Sequence, residues 1–366
     1  MSRPKVIAFY LPQFHPTPHN DEWWGKGFTE WTNVGKAKPL FWGHYQPKVP
    51  ADLGYYDLRL SEVREAQAEL AREAGIYGFC YYHYWFGDGK EELELPFDEV
   101  LRLGKPDIPF MLCWANESWH KKFWNKDGIG TSKQVLVEQT YPGEQDIINH
   151  FYRLLQAFKD PRYIRIDGKP AFMIYKSELL QDVVYFIQKW NDLAKLEGLD
   201  GIYFMTQVAK KINKDNLNSI FSLGFNGINI LRLWENDYSE KMSFKRIINK
   251  IKRDFFRKPI IRNYNKLYPL FIGDLEIEPN IYPTIIPNWD HSPRSGINSY
   301  ILVNSTPDQF KKHCEMVFEK TQYKSNNIVF LKSWNEWGEG NYLEPDLKYG
   351  KGFIYAIREA LELYLC

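Results

Sequence analysis

Residues 326–345 read NNIVFLKSWNEWGEGNYLEP. A short apolar run, Ile328 to Ser333, gives way at once to a stretch of tryptophans, amides and carboxylates held between glycines. An apolar run of this length reads as a buried strand, and the polar aromatic segment reads as the loop beyond its carboxyl end. Working outward from it, seven further runs of the same kind can be found: Val6 to Tyr10, Gly78 to Tyr82, Phe110 to Trp114, Ala171 to Tyr175, Ile202 to Gln207, Gly227 to Ile230 and Tyr282 to Pro287. Amphipathic helical stretches lie between them, the alternation expected of parallel strands with crossover helices. Eight such strands are the number that closes a barrel, so the spacing predicts the α/β class and a (β/α)8 TIM barrel. A doubly wound open sheet is the alternative, but no G-x-G-x-x-G follows the first strand and no G-x-x-x-x-G-K-[ST] occurs.

Helix signals support this division. Ser61 is positioned to cap a helix running to Ala74, with Gly75 as its stop. Ile147, Phe151, Leu154 and Phe158 recur at helical spacing within Asp146 to Phe158. Thr306, Pro307 and Asp308 mark the start of the helix before the last strand, and Phe353 to Leu363 forms the closing helix. With neither a repeat nor a low-complexity linker, residues 1–366 are expected to form a single barrel domain, with a basic helical insertion around 241–270.

The 47 Lys and Arg nearly balance the 46 Asp and Glu, leaving a net charge of +1. No overall field attracts nucleic acid, and none is expected as a partner. The opening MSRPKVIAFYLPQFHP lacks the long apolar segment of a signal peptide, and no run approaches the length of a membrane span, so a cytoplasmic location is expected. Cys80, Cys113, Cys314 and Cys366 form no C-x-x-C pair and read as reduced thiols, buried in the case of the two within strands.

In a barrel of this kind the active site lies at the carboxyl ends of the strands, so the residues just past each run are the candidates. They are Gln13 and His15; His83, Tyr84 and Trp85; Trp114, Asn116, Glu117 and Trp119; Lys176; Gln207; Asn288, Trp289 and Asp290; then Trp334, Asn335, Trp337 and Tyr342 around Glu336 and Glu339. Rings interleaved with amides and carboxylates suit a sugar, whose apolar C–H faces are ringed by hydroxyls. Packing of any single tryptophan explains that residue equally well; its repetition at several strand ends favours an oligo- or polysaccharide partner.

Glycosidic cleavage commonly needs two carboxyl groups, one protonated and one ionised, and a retaining reaction wants them about 5–5.5 Å apart. Residues three apart on one helical turn have Cβ atoms about 5–6 Å apart, so Glu336 and Glu339 fit if the loop turns that way, with Gly338 and Gly340 permitting the tight path. Glu344 reads as structural. Glu117, beside Asn116, could instead pair with Glu336 across the barrel mouth.

The stretches AFYLPQFHP from Ala8, EWWGKGFTEWTNV from Glu22, GFCYYHYWF from Gly78, LCWANESW from Leu112 and SWNEWGEGNYLEPD from Ser333 resemble the WbsX-like proteins of bacterial surface-polysaccharide gene clusters, related to glycoside hydrolase family 99. That resemblance implies a (β/α)8 barrel acting on glycans. In the related endo-α-mannosidases, two glutamates three residues apart act by a retaining route through a 1,2-anhydro sugar. Carried over, Glu336 is the base that removes the sugar 2-hydroxyl proton and Glu339 the acid/base. The opening block resembles the WbsX branch, so mannose specificity is not implied. Some members bear a glycosyltransferase label.

A metal-dependent transferase would show D-x-D near a strand end, and the chain has none; nor is there an H-E-x-x-H, so neither a metal nor another cofactor is expected. A metal-independent transferase and a non-catalytic glycan-binding barrel are the competing readings. Between Lys245 and Lys266, nine Lys or Arg accompany a single acid, Asp254, and Phe244, Ile247, Ile248, Ile251 and Phe255 share a helical face. A helix over 244–258 would either pack that face on the barrel or lie on an anionic inner membrane, where lipid-linked glycans would be met.

Overall fold

The computed structural model describes residues 2–120, 134–209, 213–234 and 258–364. Eight parallel strands form its centre: β1 (Lys5–Tyr10), β2 (Gly78–Trp85), β3 (Phe110–Trp114), β4 (Lys169–Ile174), β5 (Tyr203–Val208), β6 (Gly227–Ile230), β7 (Ile281–Ile285) and β8 (Ile328–Leu331). Each pairs with the next in sequence. β8 returns to β1 in the register Lys5↔Ile328 to Ala8↔Leu331, which closes the barrel. All eight coincide with the apolar runs read from the sequence. Strands that face packed side chains on both sides cannot alternate apolar with polar, and so appear as continuous runs.

Phe9 stacks with Tyr82 and with Phe330 inside the barrel, their ring centroids 5.5 and 5.4 Å apart. Two short helices, α1 (Pro18–Trp24) and α2 (Glu30–Lys36), follow β1, and outside the barrel lie α3 (Ser61–Glu73), α4 (Leu95–Leu103), α5 (Glu144–Lys159), α6 (Val183–Leu196), α7 (Lys214–Ser222), α8 (Pro307–Thr321) and α9 (Gly352–Glu362). Thr306 caps α8 by accepting from the Gln309 amide, with Pro307 in the first turn, as its sequence predicts. Helix α3 corrects the expected cap. Ser61 is its first helical residue, Leu60 occupies the cap position without a side-chain bond, and the Ser61 hydroxyl donates to Glu62. Gly75 does stop the helix, at φ +76°.

Cys80, Cys113 and Cys314 are buried and free, while Cys366 lies outside the described residues. The basic segment 244–258 also falls outside them, apart from Lys258. No helix among the described residues is long and apolar enough to cross a membrane.

Candidate active site

The loop after β8 is fixed from both sides. Asn335 accepts from the Leu11 amide at 2.7 Å and donates to the Leu11 carbonyl at 3.0 Å, tying the loop to the end of β1. The Ser333 hydroxyl accepts from the Glu336 amide and donates to the Asn341 carbonyl. Asn335 and Glu336 then pair antiparallel with Tyr342 and Asn341. Between these strands, Trp337–Glu339 form one 3-10 turn, and Gly340 leaves it at φ +57°. Glu336 thus precedes this single turn and Glu339 ends it. Gly338 leaves room for Glu30: a Cβ there would sit 1.8 Å from the Glu30 Oε1, which would have to move.

Glu336 is buried, and its Oε2 accepts from Lys332 at 2.9 Å. The Lys332 ammonium also donates to the Tyr82 hydroxyl at 3.0 Å. Burial raises the Glu336 carboxyl above the ordinary range; the Lys332 charge opposes this, while neighbouring Glu339 adds to it. Glu339 Oε1 accepts from Arg294 at 2.7 Å, whereas its Oε2 is buried without a hydrogen-bond partner. Arg294 in turn holds both oxygens of fully buried Glu30 at 3.0 Å each. Glu30 belongs to α2 (Glu30–Lys36), so this short helix orients the guanidinium that orients Glu339. Three carboxylates, Glu30, Glu336 and Glu339, thus share two cations, Lys332 and Arg294.

Tyr84, Tyr82 and Tyr175 surround the same charges. Burial, followed by the charge of Glu336, pushes the Tyr82 and Tyr84 phenols well above their ordinary value, so they remain hydrogen-bond donors. His291 approaches Glu339 to 3.9 Å; burial and the Arg294 charge lower it to about 3, leaving it neutral. Lys332 lies 5.8 Å from the Trp289 ring centroid. Glu117, half-exposed, is bonded to Lys176 at 2.5 Å. The Trp119 ring meets Tyr84 edge-on.

Other candidates serve the frame. His83 bonds His150 on α5 at 2.9 Å, Trp85 stacks on that ring, and Trp114 packs on Phe186 of α6, so these three face outward. Gln207 donates to Asn229, which donates to Thr284, forming a buried chain across β5, β6 and β7. Asn116 pins the backbone of Lys176 through both its amide atoms. His15 is buried, and desolvation lowers it to about 4. Trp334 is fully buried near Phe79, and Trp337 stacks on Tyr342 at 3.7 Å. The buried carboxylate of Asp290 accepts from Gln46 at 2.6 Å and lies 2.9 Å from His44. Burial opposes its ionisation, but the His44 bond and the Lys48 charge hold it below the usual carboxylate range. Glu344 accepts from Trp337, Gln67 and Tyr56, a structural hub.

Sequence reading missed Lys332, Arg294, His291, Tyr82, Tyr175 and Glu30. A lysine inside an apolar strand end was the one available signal; Glu30 and Arg294 come from helices distant in sequence.

The closed strands and their crossover helices make this a (β/α)8 barrel, a fold shared with solved glycoside hydrolases. A glycoside hydrolase-like protein superposes with a TM-score of 0.61 at 15% identity, covering 99% of this chain and 94% of the other. The glycoside hydrolase family 99 endo-alpha-mannosidase from Bacteroides thetaiotaomicron gives a TM-score of 0.54 at 15% identity, covering 98% and 95%. At that identity the likeness shows the fold. The chain belongs to the WbsX family: the family model described as Glycosyltransferase WbsX matches residues 6–357. The WxcX proteins of Xanthomonas campestris pv. campestris strains B100 and ATCC 33913 are each 34% identical over 377 residues, covering 97% of this chain and 49% of their own length. The chain spans about half the length of these curated relatives.

Proposed function

We propose that this chain is a retaining glycoside hydrolase or transglycosylase of bacterial surface-polysaccharide metabolism, working through Glu336 and Glu339 with participation of the sugar 2-hydroxyl. The observation that carries this reading is the pair itself: two adjacent glutamates at the carboxyl end of β8, each held by its own cation, with the second oxygen of Glu339 left unpartnered. Glu336, its basicity raised by burial, takes the 2-hydroxyl proton. O2 then bonds to the anomeric carbon as the bond to the leaving oxygen breaks, and Glu339 gives that oxygen its proton. Glu339 next takes a proton from water, or from an acceptor hydroxyl, as its oxygen attacks the anomeric carbon. The C1–O2 bond opens, and O2 recovers its proton from Glu336. Two inversions at one carbon retain configuration.

The test is release of reducing sugar from a panel of bacterial O-antigen and capsule oligosaccharides. Glu336→Gln and Glu339→Gln are each expected to lose about 10²–10⁴-fold in kcat, the usual contribution of a positioned acid or base. Turnover surviving in both variants sinks the assignment. Glycosyl transfer is the second reading, favoured by the description of the family model. It predicts product only when a nucleotide sugar is supplied.

A further inference from the structure

A cavity of about 280 Å³ opens beside the loop that carries the glutamates, between β7 and the amino-terminal end of α8. It touches Asp290, yet none of Glu336, Glu339, Lys332 or Arg294 lines it. Four amides do: Asn265, Asn288, Asn304 and Gln309. None of their side chains bonds another described residue, and the Asn288 Oδ1 is buried without a partner. Asn265 and Asn304 are exposed and Asn288 and Gln309 half-buried, so these amides meet the cavity from its rim and wall; each can donate and accept, which matches the alternating demands of vicinal hydroxyls. Tyr45 and Tyr349 supply rings in the same wall, and Lys348 lies over both, 4.9 and 4.8 Å from their centroids.

The segment entering this wall carries Trp42, which is 100% exposed. It is not carried on a loose loop. Phe41 stacks on His44 at 4.5 Å, and His44 and Gln46 both grip Asp290. The Asp290 amide donates to the Glu339 carbonyl at 2.6 Å, so the Trp42 segment is braced against the catalytic turn. An indole presented to solvent on such a brace, one residue before Gly43 of the cavity wall, is free to stack on a sugar ring.

From this arrangement we infer that the chain has a second, non-catalytic carbohydrate site, in which the amide cavity takes one sugar unit and Trp42 stacks on a neighbouring unit of the same glycan. The inference rests on the proposal that the substrate is a glycan, and it makes that substrate a chain of several units. Hydroxyls are the ligand chemistry, met by the amides and rings and by the ammonium groups of Lys48 and Lys348 in the same wall.

Binding to an array of bacterial O-antigen and capsule oligosaccharides tests it, using wild type, Trp42→Ala and the double variant Asn265→Ala/Gln309→Ala. Thermal melting is run alongside to confirm the fold. The double variant is expected to bind about tenfold more weakly and Trp42→Ala several-fold more weakly. For any glycan that is turned over, KM should rise while kcat holds. Unchanged affinity in both variants overturns the inference, as does capture of no glycan by wild type. Displacement of bound glycan by millimolar inorganic phosphate also overturns it, because the pocket would then be an anion site. Binding that both variants lose, in a wild type that hydrolyses nothing, retains the site and retires the hydrolase proposal. Turnover that depends on Glu336 and Glu339 but is indifferent to both variants does the reverse.

Discussion

Lys332 stands four residues before Glu336 and bonds both its carboxylate and Tyr82, so it sets the charge state of the base. Lys332→Met removes the nearest influence holding the Glu336 carboxyl down and leaves burial and Glu339 to raise it further. A base must be ionised to act, so the rising acid-side limb of kcat/KM against pH moves to higher pH. An unmoved limb would show that Glu336 is not the base. The same scale explains why some strand-end candidates are not gathered at the mouth. Successive residues of a strand point to opposite faces, so Tyr82 and Tyr84 approach Glu336 while His83 and Trp85 turn to α5. Trp114 likewise faces outward. Trp114→Ala should therefore cost about 3–5 kcal/mol of stability in denaturant unfolding, with KM of the folded protein unchanged. A raised KM at full folding would place Trp114 at the substrate.

At the scale of elements, two glycines differ in what an added methyl would meet. In β2, the Cβ of Gly78→Ala would lie 2.4 Å from the Pro109 carbonyl oxygen, part of the neighbouring backbone. Backbone of a closed barrel cannot yield locally, so this variant should lose about 3 kcal/mol or more, read as a lowered melting temperature. The Cβ of Gly338→Ala would instead meet the Glu30 carboxylate and the Arg294 Nε, side chains that can move, although only by releasing Glu339. Its signature is a large fall in kcat with a smaller stability loss. Equal melting and activity losses in both variants would show that the Glu30–Arg294–Glu339 arrangement has no role beyond packing. Strand positions were legible because burial on both faces writes apolar runs into the chain, and the Thr306 cap because its partner lies three residues away. The absent Ser61 cap shows the limit, since cap and first helical residue differ by one backbone conformation.

Across the whole molecule, the pH dependence of folding depends on buried groups that the sequence does not mark. Burial raises Glu344 from 4.5 to about 7. Folding then favours its protonated form, a contribution fully present below pH 4.5 and lost as pH rises through about 7. Glu344→Gln removes that dependence, so the stability difference between variant and wild type should shift toward the variant by up to about 3 kcal/mol across this window. A difference independent of pH would mean that Glu344 is ionised throughout. Burial lowers His15 to about 4 and His83 and His313 to about 3, which has the opposite sign: their contribution is present above 6.5 and lost on acidification. Both chains carry these histidines, so the comparison cancels them. The sequence by itself determined the eight strands, their closure and the two glutamates after the last one, because apolar runs, glycine turns and three-residue spacing are properties of neighbours along the chain. Which charges flank those glutamates, which aromatic rings face them and where four amides meet beside α8 were decided only in the tertiary structure. Those groups come from segments up to about three hundred residues apart and acquire partners, burial and perturbed acidity only when the barrel closes.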